Sequence, residues 1–283
     1  RGNTYTLVEA DEFDRSFLHL SPTIACITSM DLDHLDVYSD AASLQAAYVE
    51  FASQVKKALF VEKNIALNGI TYSVSEEADF YIDAIKPDAS GSYFDLHTPD
   101  GVYKNQFFNQ LGMHNLSNAL VALAMASKAG LQLQDLVKSL ATFPGVQRRL
   151  QVLINNDNRV LIDDYAHHPT EIKAVYETLK LSFPTEEKCV VFQPHLFSRT
   201  QDFMTDFARV LSLFDRVLLL DIYAARELPI VGVSSAALKE MISGPSVELI
   251  TKKDLANRLS LVEERIIVLL GAGDIGVEVE AIK

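Results

Sequence analysis

The chain has 283 residues, of which 48% are hydrophobic and 22% charged, and its formal net charge is −13. At roughly 150 residues per domain, this length predicts about two domains, and the composition excludes a disordered, collagen-like or disulfide-stapled chain. The acidic balance disfavours a broad nucleic-acid-binding surface. No apolar run approaches the ~20 residues that cross a membrane, so we expect neither nucleic acid nor a membrane as a partner.

Residues 1–145 have the pattern of a mixed α/β domain. The predicted elements are strands Tyr5–Val8 and Ile24–Thr28, helix Ala42–Ala58, strands Ala58–Val61, Thr71–Val74 and Phe80–Ile85, a hairpin over Asp95–Phe107 with an Asp100-Gly101 turn, and helices Asn115–Ala129 and Leu133–Ala141. The Pro144-Gly145 turn that follows predicts a boundary between domains 1–145 and 146–283.

Residues 146–283 alternate between strands and helices. The predicted elements are a hairpin of Leu150–Ile154 and Arg159–Ile162, strands Cys189–Phe192, Val217–Asp221, Val247–Ile250 and Arg265–Leu270, and helices near Glu171–Leu181, Gln201–Leu213, Ser235–Ile242 and Asp254–Ser260. This alternation predicts a Rossmann-like, doubly wound parallel sheet with helices on both faces. In such a fold, ligands bind beyond the carboxyl ends of the strands.

The two cysteines, Cys26 and Cys189, stand singly in strand-like segments. We interpret them as buried free thiols, which is typical of a protein in the reducing cytoplasm.

Two acidic clusters follow the first two predicted strands. Glu9 opens the first, Glu9-Ala10-Asp11-Glu12, and His34 lies within the second, 30–36. If the two strands are neighbours in a parallel sheet, Glu9 and His34 emerge at one edge and are able to share a hard cation such as Mg²⁺. A solvated acidic strand end is the alternative interpretation.

Further polar residues follow at helix starts and strand ends. Asn115 and Asn118 lie three apart on one helix face, where amides are able to read a base edge or to cap the helix. The pair Arg148-Arg149 is either an anion clamp or exposed surface. The segment Asp163–Glu171 leads into a helix that Thr170 or His168 caps, with Pro169 in the first turn.

Two more segments follow strands near the middle and the end of the second half. Phe192–Thr200 contains His195 and Arg199, which together suit a phosphate, although isolated surface residues are the simpler interpretation. Gly271-Ala272-Gly273-Asp274-Ile275-Gly276 has the spacing of a dinucleotide-binding turn. Only seven residues follow it, so a tight strand-to-helix turn is the better interpretation.

Together these segments resemble the Mur ligase family over essentially the whole chain. The resemblance rests on six motifs in the family's order: Glu9-Ala10-Asp11-Glu12, Asp33-His34, His114-Asn115 with Asn118, Arg148-Arg149, Asp164–Glu171, and Phe192-Gln193-Pro194-His195 with Ser198-Arg199-Thr200. It implies an ATP- and Mg²⁺-dependent ligase of peptidoglycan precursor synthesis, most similar to the branch that joins L-alanine to UDP-N-acetylmuramate through an acyl phosphate.

The resemblance also implies roles for individual residues. Glu9 and His34 would hold Mg²⁺, and Asn115 and Asn118 would line the adenine site. Arg149 and Asp164 would close over the nucleotide as catalytic residues. The residues implied for the muramyl carboxylate and the incoming alanine are Tyr165, His167, His195 and Arg199.

Two departures from the family pattern stand out. The position after the histidine of the Gln-Pro-His segment is often basic, but here it is Leu196, so one substrate-facing cation is missing or supplied elsewhere. The family's phosphate loop, G-x-x-G-K-[ST], does not occur in these 283 residues. We therefore expect a fragment: an incomplete central ATPase-type α/β domain followed by a complete C-terminal domain, inactive by itself.

Three alternatives remain at this stage. One is the branch of the family that attaches a preformed peptide, although Phe192–Thr200 favours the alanine-adding branch. Another is a non-catalytic module that binds a nucleotide or a cell-wall precursor. A metal hydrolase built on His34, His167 and His168 is disfavoured, because these histidines lack the spacing of metal-binding helices. The sequence does not determine the oligomeric state.

Overall fold

A computed structural model describes residues 4–30, 38 and 40–278. The chain divides into two compact units, which consist of Arg1–Lys86, Ser92–Phe108 and Met113–Phe143, and of Pro87–Gly91, Asn109–Gly112 and Pro144–Lys283. Each unit has a six-stranded sheet and packed helices, which confirms the predicted α/β class. Within the described ranges, no helix has the length and apolar character needed to cross a membrane.

The sheet of the first unit has its strands in chain order, from β1 to β6. Its elements are β1 (Ile24–Ile27), α1 (Ala41–Ser53), β2 (Ala58–Glu62), β3 (Ile70–Ser73), β4 (Phe80–Asp88), β5 (Gly91–Thr98), β6 (Gly101–Phe108), α2 (Met113–Lys128) and α3 (Leu133–Leu140). Strands β1 to β4 pair in parallel, and β5 and β6 form an antiparallel hairpin. The predicted hairpin is therefore confirmed.

Local sequence explains where several of these elements begin and end. Asp40 caps α1, because its side chain accepts a hydrogen bond from the Ser43 amide over 2.8 Å. In the hairpin, Thr98 pairs with Gly101, whose φ of +143° suits a residue without a Cβ atom. Helix α2 is followed by Gly130 with a φ of +101°, which stops the helix as predicted.

The predicted strand Tyr5–Val8 is wrong. Residues 4–12 contain no strand, and Leu7 is 92% exposed. An apolar run becomes a strand only where a neighbouring strand satisfies its backbone N–H and C=O groups. Among the described residues, β1 is the edge strand of this sheet and pairs with β2, so residues 5–8 do not extend the sheet. This segment is held by side chains instead, since the Tyr5 hydroxyl donates to the Ala129 carbonyl over 2.6 Å.

The sheet of the second unit has the order β11-β10-β9-β12-β8-β7. Its elements are β7 (Gln151–Asn155), β8 (Val160–Asp164), α4 (Pro169–Ser182), β9 (Lys188–Phe192), α5 (Phe197–Asp202), α6 (Met204–Leu211), β10 (Arg216–Leu219), α7 (Ser235–Met241), β11 (Ser246–Leu249), α8 (Leu255–Ser260), β12 (Ile266–Leu270) and α9 (Ile275–Glu278). All pairs are parallel except β7 with β8. The predicted doubly wound sheet is confirmed.

The two faces of this sheet bury separate apolar cores. In β9, Val190 and Phe192 face one core, whereas Cys189 and Val191 face the other. Because side chains alternate along a strand, a continuous apolar run is what a strand covered on both faces requires. Burial raises the pKa of the Cys189 thiol to about 12 and that of the half-buried Cys26 thiol to about 11, and both cysteines are free.

One predicted helix, Gln201–Leu213, is instead two helices. Phe203 separates α5 from α6, with a backbone φ of −112° and ψ of 16°. Its ring packs edge-on against His168, with ring centroids 4.6 Å apart. Tertiary packing therefore determines this break, and the helical spacing of apolar residues does not reveal it.

Candidate functional site

The best-formed polar site lies at the carboxyl ends of four adjacent strands of the second unit. Strands β8, β12, β9 and β10 are neighbours in that order. The chain that leaves them carries Tyr165, Gly271, Gln193 and the loop after β10, respectively. In a parallel sheet these ends meet at one edge, which is where doubly wound folds bind ligands.

Asp164, at the end of β8, is 4% exposed. One carboxylate oxygen accepts a hydrogen bond from the Leu150 amide over 2.7 Å, and the other accepts one from the Ala166 amide over 2.8 Å. Leu150 has a φ of +45°, a strained value for a residue with a branched side chain. Asp164 therefore fixes Leu150 at the end of β8. Leu150 is the last residue of 146–150, here called the entry segment, which leads into β7.

The two adjacent arginines occupy different environments. Arg148 is partly buried, donates to the carbonyl oxygens of Gly271 and Gly273, and places Nε 3.6 Å from a carboxylate oxygen of Asp163. Arg149 is exposed, and its guanidinium carbon lies 5.8 Å from the centre of the Tyr165 ring. Arg148 thus ties the entry segment to the turn after β12, whereas the Arg149 guanidinium is exposed beside Tyr165.

The structure brings together four of the predicted site residues. The His167 ring packs edge-on against Tyr165 at 5.2 Å and against His195 at 5.9 Å between centroids. Arg199 places Nη1 3.4 Å from Nδ1 of His195. The resulting group of Tyr165, His167, His195 and Arg199, here called the histidine–arginine cluster, combines a fixed positive charge with aromatic surface.

The environment of His195 keeps its ring neutral at pH 7. Burial is the largest cause that lowers its pKa, and the charges of Arg199 and His167 lower it further, whereas Glu227 acts in the opposite direction. Because the Arg199 guanidinium only donates, Nδ1 of the neutral ring is the acceptor that faces it and Nε2 carries the hydrogen. The cluster therefore offers a cation and a ring N–H donor for a carboxylate.

The neighbouring His168 has a structural position instead. It caps α4, and Nδ1 accepts a hydrogen bond from the Thr170 amide over 3.3 Å. Glu171 completes the cap, because its carboxylate accepts from the His167 and His168 amides over 2.8 and 3.0 Å. The predicted cap with Pro169 in the first turn is confirmed.

A polar network that the sequence patterns did not assign supports the same edge. Gln193 is fully buried, and its side chain donates to Asp274 over 2.8 Å and accepts from the Ile275 amide over 3.0 Å. Asp274 also pairs with Lys252. The network anchors the start of the short helix α9. The signal for this network in the sequence is a polar glutamine directly after an apolar strand.

The glycines after β12 form a tight turn, as predicted. A Cβ atom at Gly273 would lie 2.5 Å from the Gln193 side-chain oxygen and 2.7 Å from Cγ of Tyr223. Gly271 has a φ of +149°, and a Cβ atom there would meet the Gln193 carbonyl oxygen at 2.7 Å. The pattern therefore reflects close packing against the chain that leaves β9 and β10.

The remaining predicted site residues belong to the first unit. Asn115 and Asn118 lie in the first two turns of α2, half-buried and exposed, respectively. Glu9 is exposed in the segment before β1. His34 lies outside the described residues.

The described part offers limited donors for a metal ion. It contains no group of three His, Cys, Asp or Glu side chains arranged to hold one. Glu9 presents an exposed carboxylate, a hard oxygen donor of the kind that Mg²⁺ prefers. Since Mg²⁺ is usually held by one or two carboxylates together with substrate phosphates, this donor fits a magnesium ion that arrives with a nucleotide.

Comparison with known proteins gives two matching families and several relatives. The Mur ligase middle domain matches residues 2–126, and the Mur ligase glutamate ligase domain matches residues 148–273. The chain is 50% identical to the UDP-N-acetylmuramate–L-alanine ligase of Christiangramia forsetii and 49% identical to that of Flavobacterium psychrophilum, over 285 and 284 aligned residues. Both alignments include 100% of this chain but 63% of the relative.

Solved structures share the fold. The Thermotoga maritima UDP-N-acetylmuramate–alanine ligase superposes with a TM-score of 0.76 at 23% identity, over 95% of this chain and 60% of that one. The folylpolyglutamate synthase of Thermotoga maritima gives a TM-score of 0.70 at 19% identity, over 94% of this chain and 62% of that one. The same architecture thus occurs in proteins with different names. With both domain families matched in order, the chain belongs to the Mur ligase family and contains its middle and C-terminal domains.

Proposed function

We propose that this chain is part of an ATP-dependent ligase that joins L-alanine to UDP-N-acetylmuramate in peptidoglycan precursor synthesis. The observation that carries the proposal is its 50% identity, along its whole length, to a relative with that name. The chain spans about 63% of that relative. Residues 1–145 would supply part of the central ATP-binding domain, and residues 146–283 the C-terminal ligase domain.

The first unit and the entry segment of the second would serve the nucleotide. Asn115 and Asn118 present amides at the start of α2 for the adenine base. Arg149 has the exposed guanidinium that a phosphate oxygen requires. Asp164 would act through the Leu150 amide that it binds, fixing the backbone from which Arg149 projects.

The histidine–arginine cluster would hold the reacting carboxylate and the incoming amino acid. Arg199 is able to bind a carboxylate through two parallel hydrogen bonds, and Tyr165 and His167 form the adjacent wall. Nδ1 of His195 faces the Arg199 guanidinium, so the ring, kept neutral at pH 7, would donate its Nε2–H to a carboxylate oxygen. This arrangement would orient the carboxylate for the reaction.

The reaction has two balanced steps. A lactyl carboxylate oxygen attacks the γ-phosphorus of ATP, the bond to the bridging oxygen breaks, and ADP leaves. The alanine nitrogen then attacks the acyl carbon, loses a proton, and expels inorganic phosphate that retains one oxygen of the original carboxylate. Magnesium held by Glu9 and His34 would supply charge neutralisation between the two anions. Because ATP and a UDP-linked sugar are the reactants, we place the protein in the cytoplasm.

The experiment uses the full-length protein with ATP, Mg²⁺, UDP-N-acetylmuramate and L-alanine. We expect one ADP, one phosphate and one UDP-N-acetylmuramoyl-L-alanine per turnover, measured by mass spectrometry. With ¹⁸O in the lactyl carboxylate, one label should appear in the released phosphate. Residues 1–283 alone should give no product, because they contain no glycine-rich lysine loop to hold the β- and γ-phosphates. Selective use of a peptide instead of L-alanine would contradict the proposed acceptor.

A further inference from the structure

The turn that carries His195 and Arg199 is held by the loop that follows β10, residues 220–227, here called the β10 loop. The Tyr223 amide donates to the Pro194 carbonyl over 2.8 Å, and the Leu196 amide donates to the Tyr223 carbonyl over 2.9 Å. The Tyr223 ring stacks on His195 with centroids 5.6 Å apart and an interplanar angle of 16°. Backbone and ring contacts thus join the two segments.

The turn has a backbone conformation that needs such support. Leu196 has a φ of +70° and a ψ of 139°, which residues with a Cβ atom rarely adopt. Strained residues of this kind persist only where the surroundings fix them, and they concentrate at functional sites. The strain at Leu196 sets the direction in which the chain continues from His195 into α5, the helix that carries Arg199.

Glu227 fixes the other side of the strained residue. One of its carboxylate oxygens accepts a hydrogen bond from the Ser198 amide over 3.0 Å, and the other accepts from the Ser198 hydroxyl. The Ser198 hydroxyl is also the main cause of a lowered Glu227 pKa, so the carboxylate is ionised at neutral pH. Both oxygens are therefore engaged within the protein.

We propose that Glu227 is a positioning residue of the ligase. It acts through Ser198 to hold His195 and Arg199 in the geometry that binds a substrate carboxylate. This inference rests on the proposed function for its kinetic readout. It gives the β10 loop a role in the reaction, although none of the six motifs on which the family resemblance rests lies in this loop.

The test is a double-mutant cycle in the full-length protein, with Glu227→Ala, Ser198→Ala and the double variant. Misplacing a reacting group by about 1 Å costs up to ~10²-fold in rate, so we expect kcat/KM for L-alanine to fall about 10- to 100-fold in each single variant. The KM for ATP should stay within about twofold. The double variant should be no worse than Glu227→Ala, because Glu227→Ala already removes the hydroxyl contact that Ser198→Ala removes, together with the contact to the Ser198 amide.

Two controls separate positioning from a general loss of structure. Glu227→Gln keeps one acceptor oxygen and should retain more activity than Glu227→Ala. Asp254→Ala removes a similar carboxylate–hydroxyl pair, Thr251 with Asp254 at 2.6 Å, before α8, and should leave kcat/KM unchanged. Multiplicative effects in the double variant, or an equal rise in the KM for ATP, would overturn the proposal.

A readout independent of activity distinguishes this inference from the proposed function. In ¹⁵N-histidine-labelled full-length protein, the ring signals of His195 should shift in Glu227→Ala and in Ser198→Ala, but not in Asp254→Ala. Unmoved His195 signals contradict the inference even if the protein is an active ligase. Shifted signals support it even if L-alanine proves not to be the acceptor.

Discussion

Replacing Asp164 by alanine should lower the free energy of unfolding of the second unit by about 2–6 kcal/mol. The change leaves the buried amides of Leu150 and Ala166 without their acceptors, and each such loss costs about 1–3 kcal/mol. For a unit of this size the transition should move by about 10 °C. Differential scanning calorimetry of the full-length protein measures the shift.

Two further variants show whether burial is the cause. Asn156→Ala removes an acceptor that also serves two amides, those of Asn158 and Arg159 at 3.0 and 2.9 Å, but in an exposed turn where water is able to replace it. Its effect should stay below about 1 kcal/mol. Asp164→Asn retains one acceptor oxygen and should fall between the two. An unchanged transition in Asp164→Ala, with a raised KM for ATP, would show a direct nucleotide role instead.

Arg199→Ala should reduce kcat/KM for ligation by about 10²- to 10³-fold while leaving the thermal transition within a few degrees. Its guanidinium lies beside His195, and a hydrogen-bonded charge pair with a bound substrate is worth about 2–5 kcal/mol when one partner is truncated. Steady-state kinetics of the full-length protein, with each substrate varied in turn, measures the loss. The defect should appear for UDP-N-acetylmuramate or L-alanine and not for ATP.

The shape of the side chain should matter as well as its charge. Arg199→Lys keeps the positive charge but loses the planar fork that binds a carboxylate through two hydrogen bonds, so it should recover only part of the activity. Arg209→Ala, which removes an exposed ion pair, should retain full activity. A wild-type rate in Arg199→Ala would remove Arg199 from the proposed site.

The strands of the second unit were predictable because their apolar residues are consecutive. Val190, Val191 and Phe192 bury both faces of β9, and such runs between helical segments indicate a parallel sheet. The His168–Pro169–Glu171 cap was predictable for a related reason, since a cap is a local interaction. Tyr5–Val8 has a similar apolar pattern but forms no strand, because a strand also depends on a distant partner.

The sequence indicated which residues form the candidate site and that they share one edge of the sheet, but not the contacts that hold them in place. Tyr165, His167, His195 and Arg199 follow two strands that are separated in sequence, and the doubly wound topology implied that they share an edge. The supporting residues escaped prediction, because Gln193, Tyr223 and Glu227 acquire their roles from partners far along the chain. Nothing in the local pattern around Leu196 indicates a φ of +70° either.

The sequence by itself thus determined the α/β class, the order of the elements and the residue types that suit an anionic substrate. These follow from periodicity, caps and turns, which depend on neighbours a few residues apart. Only the tertiary structure decided which arginine is bonded within the fold and which is exposed at the surface, as with Arg148 and Arg149. Whether an arginine side chain is bonded within the fold depends on where distant carbonyl and carboxylate groups lie. The residues next to it in the sequence do not indicate those positions.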